Sequence, residues 1–68
     1  MTYVNFDAEA FDSLLTAEDV DSRSLAAAMG RSPRSIRNWR EGRSEPTLET
    51  IQKMADLLKV PATLMINI

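Results

Sequence analysis

Six arginines stand within one third of this 68-residue chain, and their spacing is typical of a surface that binds a polyanion. Five of them recur at every third position, namely Arg31, Arg34, Arg37, Arg40 and Arg43. A guanidinium group can form two parallel hydrogen bonds with a phosphate or with guanine O6/N7, and the carboxamide of Asn38 could pair in this way with adenine. These residue types therefore indicate recognition by charge and hydrogen bonding.

The charge is segregated along the chain, although the formal net charge is only −2. Residues 1–21 hold six acidic residues and no basic one, whereas residues 22–43 hold six arginines and one acidic residue, Glu41. Local charge matters more to a polyanion than the overall balance does, because salt screens the field within about 8–10 Å. The alternative is that the arginines pair with the acidic N-terminal segment and form only a solvated helix face.

Several function classes are excluded or not expected. Cysteine and histidine are absent, which removes disulfides, thiolate metal sites and the commonest general base. The carboxylates are scattered, so we expect no enzyme, no metal, no cofactor and no small-molecule ligand. No apolar run approaches the ~18 residues that cross a bilayer, and residues 1–7 lack a basic signal-peptide region. We expect one cytoplasmic domain over residues 1–68, without a membrane segment.

Capping and turn residues divide the chain into four or five short helices. The expected N-caps, whose side chains accept from free N–H groups of a first turn, are Asp7, Asp21, Ser32 and Thr47. Gly30 and Gly42 are expected to end the second and third helices. Pro61 can open a short fifth helix that contains Leu64. The expected fold class is all-α, a compact bundle of five helices.

Apolar residues at helical spacing predict the core. In the first helix the expected core residues are Phe11, Leu14 and Leu15. In the second and third they are Leu25, Met29, Ile36 and Trp39, with a base-stacking role for Trp39 as the less favoured alternative. In the fourth they are Leu48, Ile51, Met54, Ala55 and Leu58.

The connection between the second and third helices is the most informative feature. Only residues 30–32 separate Met29 from Pro33, so the two helices must cross steeply, as in a helix-turn-helix over residues 22–42. On a helical wheel Ile36 and Trp39 fall on one side of the third helix. The opposite side carries Arg34, Arg37, Asn38 and Glu41. Such a helix could bury its apolar stripe and present its polar side to the major groove.

The ordered pattern resembles the Cro/C1-type (XRE) helix-turn-helix family. The segments that carry the resemblance are residues 24–30 (SLAAAMG), 32–39 (SPRSIRNW), 41–42 (EG) and 46–51 (PTLETI). The gaps between them have the length that is typical of this family, and the match runs from about Asp21 to Leu64. The resemblance implies a bundle of five helices that binds operator DNA, usually as a dimer.

The resemblance also implies a set of contact residues. Base contacts are expected from the start and outer face of the third helix, at Pro33, Arg34, Ser35 and Asn38. The resemblance implies phosphate contacts at Ser22, Arg23, Arg43 and Thr47. Arg37 is also expected to contact a phosphate, because on the helical wheel it points toward the groove wall, and Ser32 is expected to add such a contact to its role as a cap. Glu41 is expected to be solvated, with cytosine N4 as an alternative partner.

Two arginines depart from the family pattern. Arg31 occupies a turn position that is usually apolar, so we expect its stem to lie on the core and its charged head to reach solvent. Arg40 stands where relatives often have a glutamate that pairs with an arginine of the first helix. Because the first helix is acidic here, we expect a pair of reversed sign, with Asp12 or Glu18 as the partner.

The apolar C-terminal segment predicts an association surface. Its candidate dimerisation residues, within residues 61–68, are Leu64, Met65, Ile66 and Ile68. Tyr3, Val4 and Phe6 could join this patch or simply cover the helix ends. The expected function is a sequence-specific regulator, a small repressor of a phage, plasmid or mobile operon that binds a palindromic operator as a homodimer. The alternative is a protein-interaction module on the same fold, such as an antirepressor, that does not read DNA.

Overall fold

The computed structural model describes residues 5–67, and helices dominate it. The α-helices are α1 (Ala8–Ala17), α2 (Ser22–Met29), α3 (Pro33–Arg40) and α4 (Leu48–Leu58). A 3₁₀ helix, Ala62–Met65, follows, and two short strands, β1 (Asn5–Phe6) and β2 (Ile66–Asn67), pair antiparallel with Phe6 opposite Ile66. Within residues 5–67, no helix has both the length and the apolarity that crossing a membrane requires.

All four expected N-caps are confirmed. Each cap side chain accepts a hydrogen bond from the backbone N–H three residues later, at 3.0 Å for Asp7, 2.7 Å for Asp21, 3.3 Å for Ser32 and 3.2 Å for Thr47. The expected stops also hold, since Gly30 and Gly42 both adopt left-handed backbone conformations, with φ of 68° and 76°. Local hydrogen bonding therefore fixes where each of these helices begins and ends.

The count of five helices is not confirmed, because the described residues form four α-helices and the short helix after Pro61 is of the 3₁₀ type. The N–H of Leu64 donates to the carbonyl of Pro61 at 3.1 Å, and no side chain caps this turn. Ile66 then adopts extended backbone, with φ of −129° and ψ of 153°, and pairs with Phe6. A four-residue segment that leads into a β-branched residue favours this tight turn over an α-helical ladder. The all-α class itself stands.

The core lies where the helices and the 3₁₀ turn converge. Its fully buried large side chains are Phe11, Leu15, Ile36, Met54 and Met65. The other buried apolar residues are Phe6, Leu25, Ala26, Met29, Trp39, Ile51 and Ala55, and Leu14 and Leu58 pack against them while partly exposed. The predicted core is thus largely correct, including Trp39.

Leu48 is an error in that prediction, since 51% of it is exposed. The buried residues of α4 are Thr50, Ile51, Met54 and Ala55. At about 100° per residue, Leu48 lies roughly 90° from the centre of this stripe and in the first turn of the helix. Leu48 therefore lies at the edge of the buried side of α4, where about half of its surface remains exposed.

The expected dimerisation residues of the C-terminal segment differ in how far they are buried. Met65 is completely buried, because the 3₁₀ turn packs against α1 and α4, and its carbonyl accepts from the N–H of Asp7 at 2.8 Å. Its assignment to a dimer surface is therefore wrong. Leu64 is 47% exposed, Ile66 is half-buried, and Ile68 lies outside the described residues. Phe6 belongs to the core, and the expectations for Tyr3 and Val4 also lie outside the described residues.

Candidate nucleic-acid interface

The turn between α2 and α3 is held by backbone hydrogen bonds. The N–H of Gly30 donates to the carbonyl of Ala27 at 3.3 Å, and that of Arg31 donates to the carbonyl of Ala26 at 2.9 Å. Gly30 is required by conformation rather than by space, since a Cβ there would meet no atom within 4 Å but would strain the positive φ. This closure sets α3 at a fixed position on α2.

The two sides of α3 differ in burial, as the helical wheel predicts. Ile36 is completely buried and Trp39 is 5% exposed, whereas Arg34 and Arg37 are exposed and Asn38 is half-buried. In the part of the chain that the structure describes, neither Arg34 nor Arg37 forms a salt bridge. The alternative in which acidic N-terminal residues neutralise the arginines therefore does not describe these two.

Besides Arg34, the N-terminal turn of α3 carries three of the expected DNA contacts. The hydroxyl oxygens of Ser32 and Ser35 are 3.1 Å apart, and that of Ser32 also caps the helix. Pro33 occupies the first helical position, where its missing N–H leaves no hydrogen bond unmade. Ser32 is exposed, while Pro33 and Ser35 are half-buried. The cap thus holds this turn in place beside the arginine-bearing face.

The expected phosphate contacts are mostly solvent-accessible. Arg23 and Thr47 are exposed at the first turn of α2 and the N-cap of α4. Arg43 is exposed in the loop after α3, where its Nε lies 3.1 Å from Glu41 Oε1 and its backbone N–H donates to the carbonyl of Asn38 at 2.9 Å. Ser22, in contrast, is half-buried, and its hydroxyl already has a partner within the fold.

That partner is Arg40, which joins three helices. Its Nε donates to Asp12 Oδ1 at 2.5 Å, Nη1 to Ser22 Oγ at 3.3 Å and Nη2 to Thr16 Oγ1 at 3.3 Å. The expected pair of reversed sign therefore exists, and its acidic member is Asp12. Asp12 and Thr16 stand one turn apart on the side of α1 that meets α3, whereas Glu18 caps the C-terminal end of α1 and is exposed.

A second cluster surrounds Arg31 and includes a residue that sequence reasoning missed. The guanidinium carbon lies 5.3 Å from the ring centroid of Trp39, and Nη2 donates to Thr50 Oγ1 at 3.4 Å. Thr50 is a buried polar residue of α4, and its hydroxyl accepts from Thr47 Oγ1 at 3.0 Å. The available signal for Thr50 was its position three residues after an N-cap, where a polar side chain often completes the cap.

Electrostatics favours the ionised form of one cap. Hydrogen bonds from the backbone N–H and then the hydroxyl of Ser24 lower the pKa of Asp21 below its ordinary value, and the charge of Arg23 adds to this. Hydrogen bonds that favour a carboxylate act in this direction. Asp21 therefore keeps its negative charge, which also interacts favourably with the N-terminus of α2.

Clusters of acidic side chains and surface depressions are the other places where a ligand site could lie. Among residues 5–67, no group of three or more acidic side chains is placed to hold a metal ion. An open depression of about 190 Å³ lies between the end of α1 and the start of α2. Its lining residues are Leu15, Thr16, Asp19, Val20, Asp21 and Arg40. The arginine-bearing side of α3 is thus the stronger candidate site.

Comparisons with known proteins agree with this architecture. A family model described as helix-turn-helix matches residues 15–65. The chain is also similar to a crystal structure of a proposed DNA-binding protein from Bacteroides fragilis, with 29% sequence identity and a TM-score of 0.82, over 96% of this chain and 100% of that one. No curated protein matches the chain. Since the family model covers most of the sequence, including α2, α3 and α4, the chain belongs to the Cro/C1-type (XRE) helix-turn-helix family.

Proposed function

We propose that this protein is a sequence-specific DNA-binding regulator that inserts α3 into the major groove. The observation that carries the proposal is the division of α3 into a buried side, with Ile36 and Trp39, and an exposed side, with Arg34 and Arg37. These two arginines have no salt-bridge partner within the described residues, so their charge is available to a polyanion. The similarity to the proposed DNA-binding protein of Bacteroides fragilis supports the same function.

Base recognition is assigned to the outer face and the start of α3. Arg34 and Asn38 are one helical turn apart, so both can reach successive base edges, Arg34 at guanine O6/N7 and Asn38 at adenine N6/N7. Pro33 and Ser35 lie in the first turn, where Pro33 offers apolar contact and Ser35 a hydroxyl. A few such contacts are sufficient to discriminate sequences, since each good pair contributes about 1–3 kcal/mol.

Affinity is assigned to the residues around this face. The proposed phosphate contacts are Ser22, Arg23, Ser32, Arg37, Arg43 and Thr47. The arginines among them would displace condensed counterions, so binding should weaken steeply as salt rises. Ser22 is suited to this role because Arg40 donates to its oxygen, which leaves its own proton for a phosphate.

The regulatory role is proposed as repression by a homodimer on a palindromic operator, in a phage, plasmid or other mobile operon. Two copies of α3 placed about 34 Å apart would read two half-sites on one side of the duplex. Exposed Leu64 and half-buried Ile66 support an association surface near the C-terminal end, together with the expectation for Ile68. A dimer that covers a promoter would act by excluding other proteins from it.

Selection of bound sites from a random duplex pool tests the proposal, because it reports binding, half-site spacing and symmetry together. We expect an enriched inverted repeat whose half-sites are about one helical turn apart. In a gel-retardation assay, complexes with random duplexes should be lost at lower salt concentrations than complexes with the selected sequence. Failure to enrich any sequence, together with a protein that co-purifies with this chain, would favour the interaction module on the same fold.

A further inference from the structure

We propose that Arg31 is an additional phosphate-binding residue, whose guanidinium group the fold orients before DNA arrives. The inference rests on the proposed function and extends its binding surface to a residue of the turn between α2 and α3. It starts from an unusual feature of this chain, a cation at a turn position where the family pattern is apolar.

Arg31 is exposed, yet two contacts restrain its charged end. The guanidinium carbon lies over Trp39 of α3, 5.3 Å from the ring centroid, and Nη2 donates to Thr50 of α4 at 3.4 Å. A free arginine loses considerable rotamer entropy when it binds a ligand. Here part of that loss has already occurred on folding, so binding should cost less than it does for an unrestrained surface arginine.

The remaining hydrogen-bonding capacity of Arg31 points to an anion. A guanidinium has five N–H donors in its plane, and Thr50 uses one of them. Among the described residues, the side chain of Arg31 makes no other hydrogen bond, so four donors remain available while the guanidinium carbon lies over the Trp39 ring. Within residues 5–67 Arg31 has no salt bridge, whereas Arg40 and Arg43 each have one. Its charge is therefore not neutralised by the described part of the fold.

The position of Arg31 lies between two of the proposed phosphate contacts. Ser32, the N-cap of α3, is its neighbour in sequence. Thr47, the N-cap of α4, is connected to it through Thr50, since the two threonine hydroxyl oxygens are 3.0 Å apart. A backbone phosphate that meets either cap would come close to this guanidinium. The contact would be independent of base sequence, as phosphate contacts are.

The test compares Arg31→Gln and Arg31→Lys with the wild type on a selected duplex and on a random duplex. Lys59→Asn is the matched control, because it also removes one positive charge, lies at the far end of α4 and suits the left-handed backbone of residue 59. The dissociation constant is measured over a series of salt concentrations, and thermal unfolding is followed by circular dichroism.

We expect Arg31→Gln to weaken binding about tenfold on both duplexes and to reduce the slope of log K against log salt by about 0.9. Arg31→Lys should keep the wild-type slope, since it retains the charge, but bind more weakly because it lacks the planar donor group. Lys59→Asn should match the wild type in slope and affinity.

A wild-type slope in Arg31→Gln would overturn the inference and leave Arg31 as a contact between α3 and α4 alone. If Arg31→Gln does not fold at the assay temperature, Arg31→Lys decides the question, and wild-type affinity in that variant overturns a contact through an oriented guanidinium. A wild-type protein that binds neither duplex overturns the proposed function itself, and the inference with it.

Discussion

At the scale of single residues, the arginines of this chain have different environments and therefore different expected roles. Arg34 is exposed on the outer side of α3, and Arg23 is exposed at the start of α2. Arg40 is held by three hydrogen bonds inside the fold. Each of these residues is a cation, but its hydrogen-bond and salt-bridge partners within the fold decide whether its guanidinium group is available to contact DNA.

Substitutions of Arg34 and Arg23 should both weaken DNA binding, but only the effect of the Arg34 substitution should depend on the DNA sequence. Arg34→Ala is expected to cost about 1–3 kcal/mol on the selected site and to relax the preference at one base pair. Arg23→Ala should weaken all duplexes alike and reduce the salt slope by about one. Fluorescence anisotropy on the selected site and its single-base variants measures both effects. An unchanged preference in Arg34→Ala would mean that α3 docks in another orientation.

Asp21 should make α2 sensitive to acid. Its pKa in the folded protein is below its ordinary value of 3.8, so in that range the unfolded chain binds more protons than the folded one. The stabilisation is complete above the ordinary value and is lost as the pH falls through the folded-state pKa. Asp21→Asn keeps a capping oxygen without a titrating group.

Urea unfolding at neutral pH and below pH 3.8 tests this expectation. The loss of stability on acidification should be smaller in Asp21→Asn than in the wild type. Equal losses in the two proteins would show that other carboxylates account for the acid sensitivity.

At the scale of elements, the Arg40 cluster shows how one side chain can set the arrangement of three helices. Arg40 ends α3, and it contacts Asp12 and Thr16 of α1 and Ser22 of α2. Its side chain is 20% exposed, and that of Asp12 is 50% exposed. The cluster thus combines a partly solvated ion pair with hydrogen bonds that fix the angle of α3 against the rest of the fold.

A double-mutant cycle on Arg40→Met and Asp12→Ala should give a coupling free energy of about 0.5–1 kcal/mol, as for partly exposed ion pairs. Glu18→Ala is the matched control, since Glu18 is an exposed acidic residue at the C-terminal end of α1 and forms no salt bridge with Arg40. Denaturant unfolding of the four proteins in each of the two cycles, Arg40 with Asp12 and Arg40 with Glu18, measures the coupling. Coupling of Arg40 to Glu18 as large as that to Asp12 would contradict the geometry.

At the scale of the whole molecule, a negative net charge would argue against binding to DNA. The distribution of charge over the surface does not, because the arginines are concentrated in one region. The chain carries a net charge of −2, yet the exposed side of α3 is cationic, and among the arginines of the described residues only Arg40 forms a salt bridge with the acidic N-terminal segment. Association into a dimer would bring two such cationic faces to one duplex and would add stability to a small domain.

The proposed dimer should depend on Leu64. Leu64→Glu replaces an exposed apolar side chain with a charged one, so the dimer should become weaker while the helical content of the monomer is retained. Sedimentation at several concentrations should show a shift toward the monomer. Leu48→Glu is the matched control, because Leu48 is similarly exposed but lies in the first turn of α4, and this variant should sediment like the wild type. Dimers of unchanged affinity in Leu64→Glu would place the interface elsewhere.

Residue types and their spacing were sufficient to predict where the four α-helices begin, where α2 and α3 end, the steep turn between these two helices and the polar side of α3. Caps such as Asp21 and Ser32 and the left-handed Gly30 act within three or four residues, so they can be read from neighbouring residue types. The helical period likewise separates Ile36 and Trp39 from the arginines without knowledge of the rest of the chain.

Contacts between side chains of different elements could be assigned only from the assembled fold. It assigned Asp12 to Arg40, placed Arg31 between Trp39 and Thr50, buried Met65 and left Leu48 in solvent. Each of these outcomes depends on how far one helix is rotated and shifted against another, and that is a balance of packing over the whole core. A local pattern indicates that a residue is apolar or charged, whereas the assembled elements determine what it contacts.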